Sequence, residues 1–204
     1  MGATHVMEPA SLLCVLAAVA GVPLVLAVLV LTNYNALVRG RNAIRESWAD
    51  VDTELKRRYD LIPNLVATVQ GYAAHERETL QRVTDARTRA VASQGSPASQ
   101  AADENVLVGA LRQVFAVAEG YPQLKADGHF LALQKELVNT EDRIQAARRF
   151  YNANVRDYNN RCQALPSSVI AGLFHFAAAE YFEIESVGER AAVAVSFGGA
   201  GGEN

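Results

Sequence analysis

From Ser11 to Leu31 the chain reads SLLCVLAAVAGVPLVLAVLVL, 21 consecutive residues without a charged side chain. A helix rises about 1.5 Å per residue, so this run matches a hydrocarbon core roughly 30 Å thick. Pro23 would damage a soluble helix, but neighbouring groups can satisfy the freed carbonyl in a membrane span. A buried core helix is one competing reading, yet soluble cores seldom need so long an uncharged run. A cleaved signal peptide is another, because Ala18-Val19-Ala20 has a small-x-small form. Against it, the preceding segment holds no Lys or Arg, and the apolar stretch continues well past Ala20. The sequence therefore predicts a short segment over 1–10 and a transmembrane helix over 11–31, with the lipid bilayer as that helix's partner.

Charge is sorted by position. All 19 Lys and Arg residues lie at or after Arg39, and the formal net charge is only −3 over 204 residues. That balance gives no reason to expect nucleic acid as a partner. Arg39, Arg41 and Arg45 closely follow the apolar run, whereas Met1 to Ala10 carries only His5 and Glu8. The positive-inside rule then places the soluble part in the cytoplasm. Cys14 and Cys162 are too few for a disulfide framework or a cysteine-based zinc site.

Beyond the run, Leu37, Ile44, Trp48, Val51, Leu55, Tyr59 and Ile62 recur at spacings of seven, four or three, the signature of a helix with one buried stripe. Pro63 predicts a kink or short break around Asp60 to Asn64. A second helix follows from Leu65 to about Ser93. The breaker-rich stretch Gln94 to Gln100 reads as a loop, a third helix runs from about Asp103 to Glu119, and Gly120-Tyr121-Pro122 stops it. A long fourth helix covers about Phe130 to Cys162, with a stripe of Leu133, Leu137, Thr140, Ile144, Ala147, Tyr151, Val155, Tyr158 and Cys162. Val169 to Glu185 reads as a short helix and a docked tail. The fold class is all-α: a transmembrane helix, then an elongated antiparallel helical bundle over 32–190, then a tail over 191–204 that is flexible at its glycine-rich end. The dipeptide Tyr-Asn recurs on helix seams at Tyr34, Tyr151 and Tyr158.

Particular residues say more than periodicity. Tyr34-Asn35-Ala36-Leu37-Val38, Trp48-Ala49-Asp50-Val51-Asp52 and Leu55-Lys56-Arg57-Arg58-Tyr59-Asp60-Leu61-Ile62-Pro63-Asn64-Leu65 resemble the LemA family closely. So do Glu141-Asp142-Arg143-Ile144, Arg148-Arg149-Phe150-Tyr151-Asn152 and Pro166-Ser167 before Ala171-Gly172-Leu173-Phe174. The resemblance covers Tyr34 to Phe197 and implies a bacterial inner-membrane protein with one N-terminal span and an antiparallel bundle. It brings no catalytic residues with it. His175-Phe176-Ala177-Ala178-Ala179 departs from the family by replacing a more basic stretch.

The residues themselves offer little chemistry. His5, His75, His129 and His175 are scattered, with no Glu-x-x-His or His-x-x-x-His pair, and no glycine-rich phosphate loop occurs in a strand-turn-helix context. No catalytic residue, cofactor or metal is therefore expected. Lys56-Arg57-Arg58 reads as a solvated or ion-paired face, and Glu141 with Asp142 as part of a helical charge network with Arg148 or Arg149. The distinctive element is the corner Arg57, Arg58, Tyr59, Asp60, Pro63 and Asn64, where charge, aromatic ring and helix breaker meet. It is the candidate surface for a membrane-associated protein partner, with Arg57, Arg58 and Asp60 expected to point outward. Asp60 or Asn64 capping the next helix is the structural alternative. The leading expectation is thus a membrane-anchored interaction or scaffold protein. The alternative is a membrane-bound hydrolase or metal-dependent enzyme using His75, Glu76, Glu141 and Asp142. Oligomeric state is not legible in these residues.

Overall fold

The structure, a computed structural model, describes residues 9–184, with side chains from Ala20 onward. Residues 1–8 and 185–204, which hold most of the short N-terminal segment and all of the tail expected over 191–204, lie outside the described residues. Among the described residues all regular structure is helical: α1 (Pro9–Tyr72), α2 (Arg77–Ala92), α3 (Pro97–Glu119), α4 (Pro122–Lys125), α5 (Gly128–Gln163) and α6 (Ser167–Leu173).

The break expected at Pro63 does not occur. α1 runs through it for 64 residues in all, so Leu65 to Tyr72 complete the first helix rather than open a second. Proline removes the N–H that the Tyr59 carbonyl would accept one turn earlier. Here the Arg87 Nε donates to that carbonyl at 2.7 Å, so the orphaned acceptor is satisfied from α2. Asp60 and Asn64 consequently sit mid-helix and exposed, not at a cap. The chain turns instead over residues 73–76, where the Glu76 N–H donates to the Ala73 carbonyl at 3.0 Å.

Two other boundaries shift for local reasons. Ser96 caps α3 by accepting from the Ser99 N–H at 3.4 Å, with Pro97 in the first turn, so α3 begins six residues before Asp103 and the loop shrinks to Ser93–Ser96. Asp127 Oδ1 accepts from the Phe130 N–H at 2.8 Å, which starts α5 just after the short α4. The first bonds of the Asp127 carboxylate, from the Phe130 amide and the Tyr72 hydroxyl, hold its pKa below the usual carboxylate range.

The chain packs as two compact units. One combines the chain up to Asp52 with Ala147–Tyr181, and the other Thr53–Ala146 with the segment from Phe182 on. In the first, Leu37, Tyr158, Ile170 and Ala171 form a buried cluster, with Val30, Tyr34, Ile44, Cys162 and Phe176 packed against it. An alanine Cβ at Gly40 would come within 3.1 Å of the Tyr158 ring, so glycine is what lets that ring lie on α1. The extended chain after α6 is docked as expected, and the Tyr-Asn dipeptides dock it. Tyr158 donates its hydroxyl to the Ala177 carbonyl at 3.0 Å and Tyr151 to the Glu180 carbonyl at 2.9 Å. Asn159 exchanges two bonds with Ala179, and Tyr34 packs edge-on against Phe174 and Phe176. Burial pushes the Tyr151 and Tyr158 phenols up to about 12, so both remain hydrogen-bond donors at neutral pH.

In the second unit α2 lies antiparallel to α3, joined by Arg82 Nη1 to Gln113 Oε1 at 3.1 Å and by the Tyr121 hydroxyl to Glu76 at 3.3 Å. α1 and α5 also run antiparallel there, with Arg57 to Glu136 at 3.1 Å and the Tyr72 hydroxyl to Asp127 at 2.9 Å. Leu55, Ile62, Leu65, Val69, Leu107, Leu111, Val114 and Ile144 are buried, whereas Val106 on α3 is exposed.

The passage through Pro63 yields a coupled prediction. Arg87→Met should cost about 1–3 kcal/mol, because the Tyr59 carbonyl is left without a donor. In a Pro63→Ala chain the restored N–H serves that carbonyl, and the same Arg87→Met change should cost clearly less. Thermal melts of the four variants in detergent measure the difference; equal costs in both backgrounds would refute the role given to Arg87.

Candidate functional site

The corner singled out by the sequence divides into an outward strip and a buried half. Arg57, Asp60, Pro63 and Asn64 are exposed on α1, at helical spacings that share one face. Arg57 Nη2 donates to Glu136 on α5 at 3.1 Å, with both side chains nearly half exposed. Asn64 borders a shallow groove with Thr68, Tyr72, Asp127, His129 and Leu133.

Arg58 and Tyr59 turn inward, which corrects the expectation that Arg58 points to solvent. Arg58 is 1% exposed and Glu104 0%. The Arg58 Nη2 and the Tyr59 hydroxyl both donate to the Glu104 carboxylate, one to each oxygen. Arg58 Nη1 donates to Glu141 Oε2 at 3.0 Å, and Gln145 Nε2 donates to the other Glu141 oxygen at 2.8 Å. Burial first, and then the Glu104 charge, push the Tyr59 phenol well above the usual tyrosine range, so it is a fixed neutral donor. One guanidinium from α1 is thus answered by carboxylates from α3 and α5.

The reason lies in register. Val51, Leu55, Arg58, Ile62, Leu65 and Val69 follow one another at spacings of four and three, so Arg58 occupies a core position of α1 as surely as its apolar neighbours. Glu104 falls likewise between Ala101 and Val108 on α3, and Glu141 between Leu137 and Ile144 on α5. Three charges at core registers were the signal for this network. Tyr59 drew attention away from Arg58, because an aromatic ring beside a charge looks like the stripe member. Glu104 and Arg87 were missed because their partners lie far away in sequence, 46 and 28 residues off, whereas Gln145 bonds Glu141 one turn away on α5.

A cleft of about 280 Å³ opens beside the network, lined by Arg58, Leu111, Phe115, Leu137, Val138, Glu141 and Asp142. Its walls are mainly aliphatic and aromatic, and both glutamates of the network are engaged with Arg58. Glu76 accepts from Tyr121, while His75 is exposed at the α1–α2 turn. Among the described residues no three His, Cys, Asp or Glu side chains are placed to hold one metal ion. His75, Glu76, Glu141 and Asp142 therefore do not assemble into the metal site of the enzymatic alternative. The geometry is that of a brace. Desolvating a guanidinium and two carboxylates is costly, and only their mutual pairing offsets it.

An interior ion brace in an all-helical chain whose first helix also carries a long apolar run defines a bundle protein with a candidate membrane span. Residues 47–197 match the LemA family, and the chain belongs to that family. It is 27% identical over 213 residues to magnetosome protein MamQ 2 of Paramagnetospirillum magneticum, covering 92% of this chain and 75% of that one. It is 28% identical over 159 residues to protein LemA of Metamycoplasma hominis, covering 75% of this chain and 71% of that one.

The split of the corner changes what its arginines should do on mutation. Arg57→Gln should alter stability by no more than about 1 kcal/mol, as for other exposed pairs. Arg58→Gln should cost about 3–5 kcal/mol, because Glu104 is left buried without its counter-charge. Adding Glu104→Gln to Arg58→Gln should recover part of that loss. Denaturant melts check all three, and a mild Arg58→Gln phenotype would disprove the brace.

Proposed function

We propose that this chain is a membrane-tethered interaction protein of the LemA type. Residues 11–31 anchor it by a single pass in a bacterial inner membrane, and the bundle lies on the cytoplasmic side. The observation that carries the anchor is an apolar surface with nothing over it among the described residues. From Val22 to Leu31 the side chains of α1 are largely uncovered, Leu24 at 66% and Leu31 at 60% exposure, whereas apolar stripes further along the same helix are buried. α1 is the one helix among the described residues long and apolar enough to cross a membrane. Arg39, Arg41 and Arg45, all exposed just beyond the run, support the cytoplasmic placement.

The partner surface in this reading is the outward strip Arg57, Asp60, Pro63 and Asn64. The brace beneath it, Arg58 and Tyr59 on Glu104, fixes the backbone that presents the strip, so a protein partner meets a rigid face rather than a mobile loop.

Two measurements test these statements. In a chain lacking Cys14 and Cys162, a cysteine at Gln94 should resist an impermeant maleimide in intact spheroplasts and react after lysis, while the chain itself stays in the membrane pellet through alkaline carbonate washing. Labelling of intact spheroplasts sinks the cytoplasmic placement, and release by carbonate sinks the anchor. For the strip, Arg57→Gln with Asp60→Asn should abolish cross-linking to the protein partner with a stability change of no more than about 1 kcal/mol. Unchanged cross-linking would remove the strip from consideration.

A further inference from the structure

Between Arg161 and Glu180 the chain holds no Lys, Arg, Asp or Glu. This stretch forms the end of α5, α6 and the first part of the docked segment, and within its compact unit it lies beside the end of the apolar run. Val30 and Tyr34 pack on the cluster that contains Ile170 and Ala171 of α6, and the Tyr34 and Phe174 rings meet at 4.9 Å. Tyr34 stands three residues past Leu31, one helical turn beyond the uncharged run.

α6 is two-faced. Ile170 and Ala171 are buried against Leu37 and Tyr158. The other side presents Val169 at 63% exposure and Leu173 at 67%, with Leu165 before the helix at 80% and Phe174 after it at 46%. Leu165, Val169 and Leu173 are spaced by four. Such a group of large apolar side chains is costly to leave in water and marks a surface that something covers.

We propose that this face is a second membrane contact: α6 lies in the headgroup region of the bilayer with Leu165, Val169, Leu173 and Phe174 turned to the acyl chains. This rests on the reading of 11–31 as a span and adds to it. The occupant follows from position. With the hydrocarbon boundary at about Leu31, a ring in contact with Tyr34 stands only about 5 Å beyond it, inside a headgroup layer about 5–8 Å thick on each side. Aromatic rings are favoured at that level, and Tyr34, Phe174 and Phe176 form a group there. The Arg41 guanidinium lies over the Phe176 ring at 5.2 Å, a cation placed on the headgroup side of the aromatic group. His175-Phe176-Ala177-Ala178-Ala179 carries no Lys, Arg, Asp or Glu, so no fixed charge has to be desolvated where this segment meets lipid.

The test uses the full chain carrying Trp48→Phe, reconstituted in phosphatidylcholine–phosphatidylglycerol vesicles whose acyl chains are brominated either near the carboxyl end or near the terminal methyl. Val169→Trp and Leu173→Trp report α6, and Leu24→Trp reports the span. Expected is a roughly twofold loss of Val169→Trp and Leu173→Trp emission with bromine near the carboxyl end and little loss with bromine near the methyl, as for an interfacial helix. Leu24→Trp should be quenched more by the deeper bromine. Quenched Leu24→Trp with α6 reporters untouched by either lipid overturns this proposal and leaves the span standing, whereas an unquenched Leu24→Trp overturns the span as well. α6 reporters protected from both bromolipid and aqueous iodide would mean that protein covers the face, a second copy or a partner, and would equally overturn it. Leu165→Trp, in the turn before α6, gives the same readout if the helical substitutions lower the circular dichroism of the fold.

Discussion

Burying the Arg58 guanidinium is the constraint from which the second unit is built. A lone positive charge at a core register would destabilise any helix packing, so α1 can seal that position only if α3 and α5 both deliver carboxylates to it. Glu104 and Glu141 do so, and in doing so they fix the axial register of three helices that apolar side chains alone would hold less specifically. Tyr59 adds a neutral donor to the same Glu104 carboxylate. Leu55 and Ile62, one turn to either side of Arg58, are buried because the charge between them is answered.

Much of the helical architecture was legible because amphipathic periodicity is a local signal. The stripe from Leu37 to Ile62 and the one from Leu133 to Cys162 were read from spacing alone and are largely buried, with Leu133 and Cys162 at the ends of the second only partly so. Two of the errors share a cause: each depends on a partner remote in sequence. Pro63 breaks a helix in isolation, and only Arg87 from α2 makes its passage harmless. The inward turn of Arg58 is likewise visible only when Glu104 is known to face it. Local chemistry, by contrast, misplaced the start of α3 by six residues, since Ser96-Pro97 is a capping signal that could have been weighed against the breaker-rich composition around it.

The candidate surface was half legible for a related reason. Arg57 and Asp60 were placed outward by charge and remain there, while charge alone put Arg58 beside them wrongly. Heptad-like spacing and polarity disagreed at that one position, and spacing governed. The Tyr-Asn dipeptides are the converse case. They stood out as a recurrent pattern without a meaning, and the meaning is supplied by a segment with no regular structure, whose carbonyls at Ala177, Ala179 and Glu180 need side-chain donors because no strand or helix serves them.

The brace also imposes an order on biosynthesis. Glu104 follows Arg58 by 46 residues and Glu141 by 83. At about 5–20 residues per second, the guanidinium leaves the ribosome roughly 4–17 s ahead of its second carboxylate. Arg58 must stay hydrated for that interval, and water at Arg58 keeps the neighbouring apolar positions from closing. The second unit therefore cannot accrete helix by helix as it is translated; it closes once, after α5 has been made as far as Glu141, when the last charge of the set arrives.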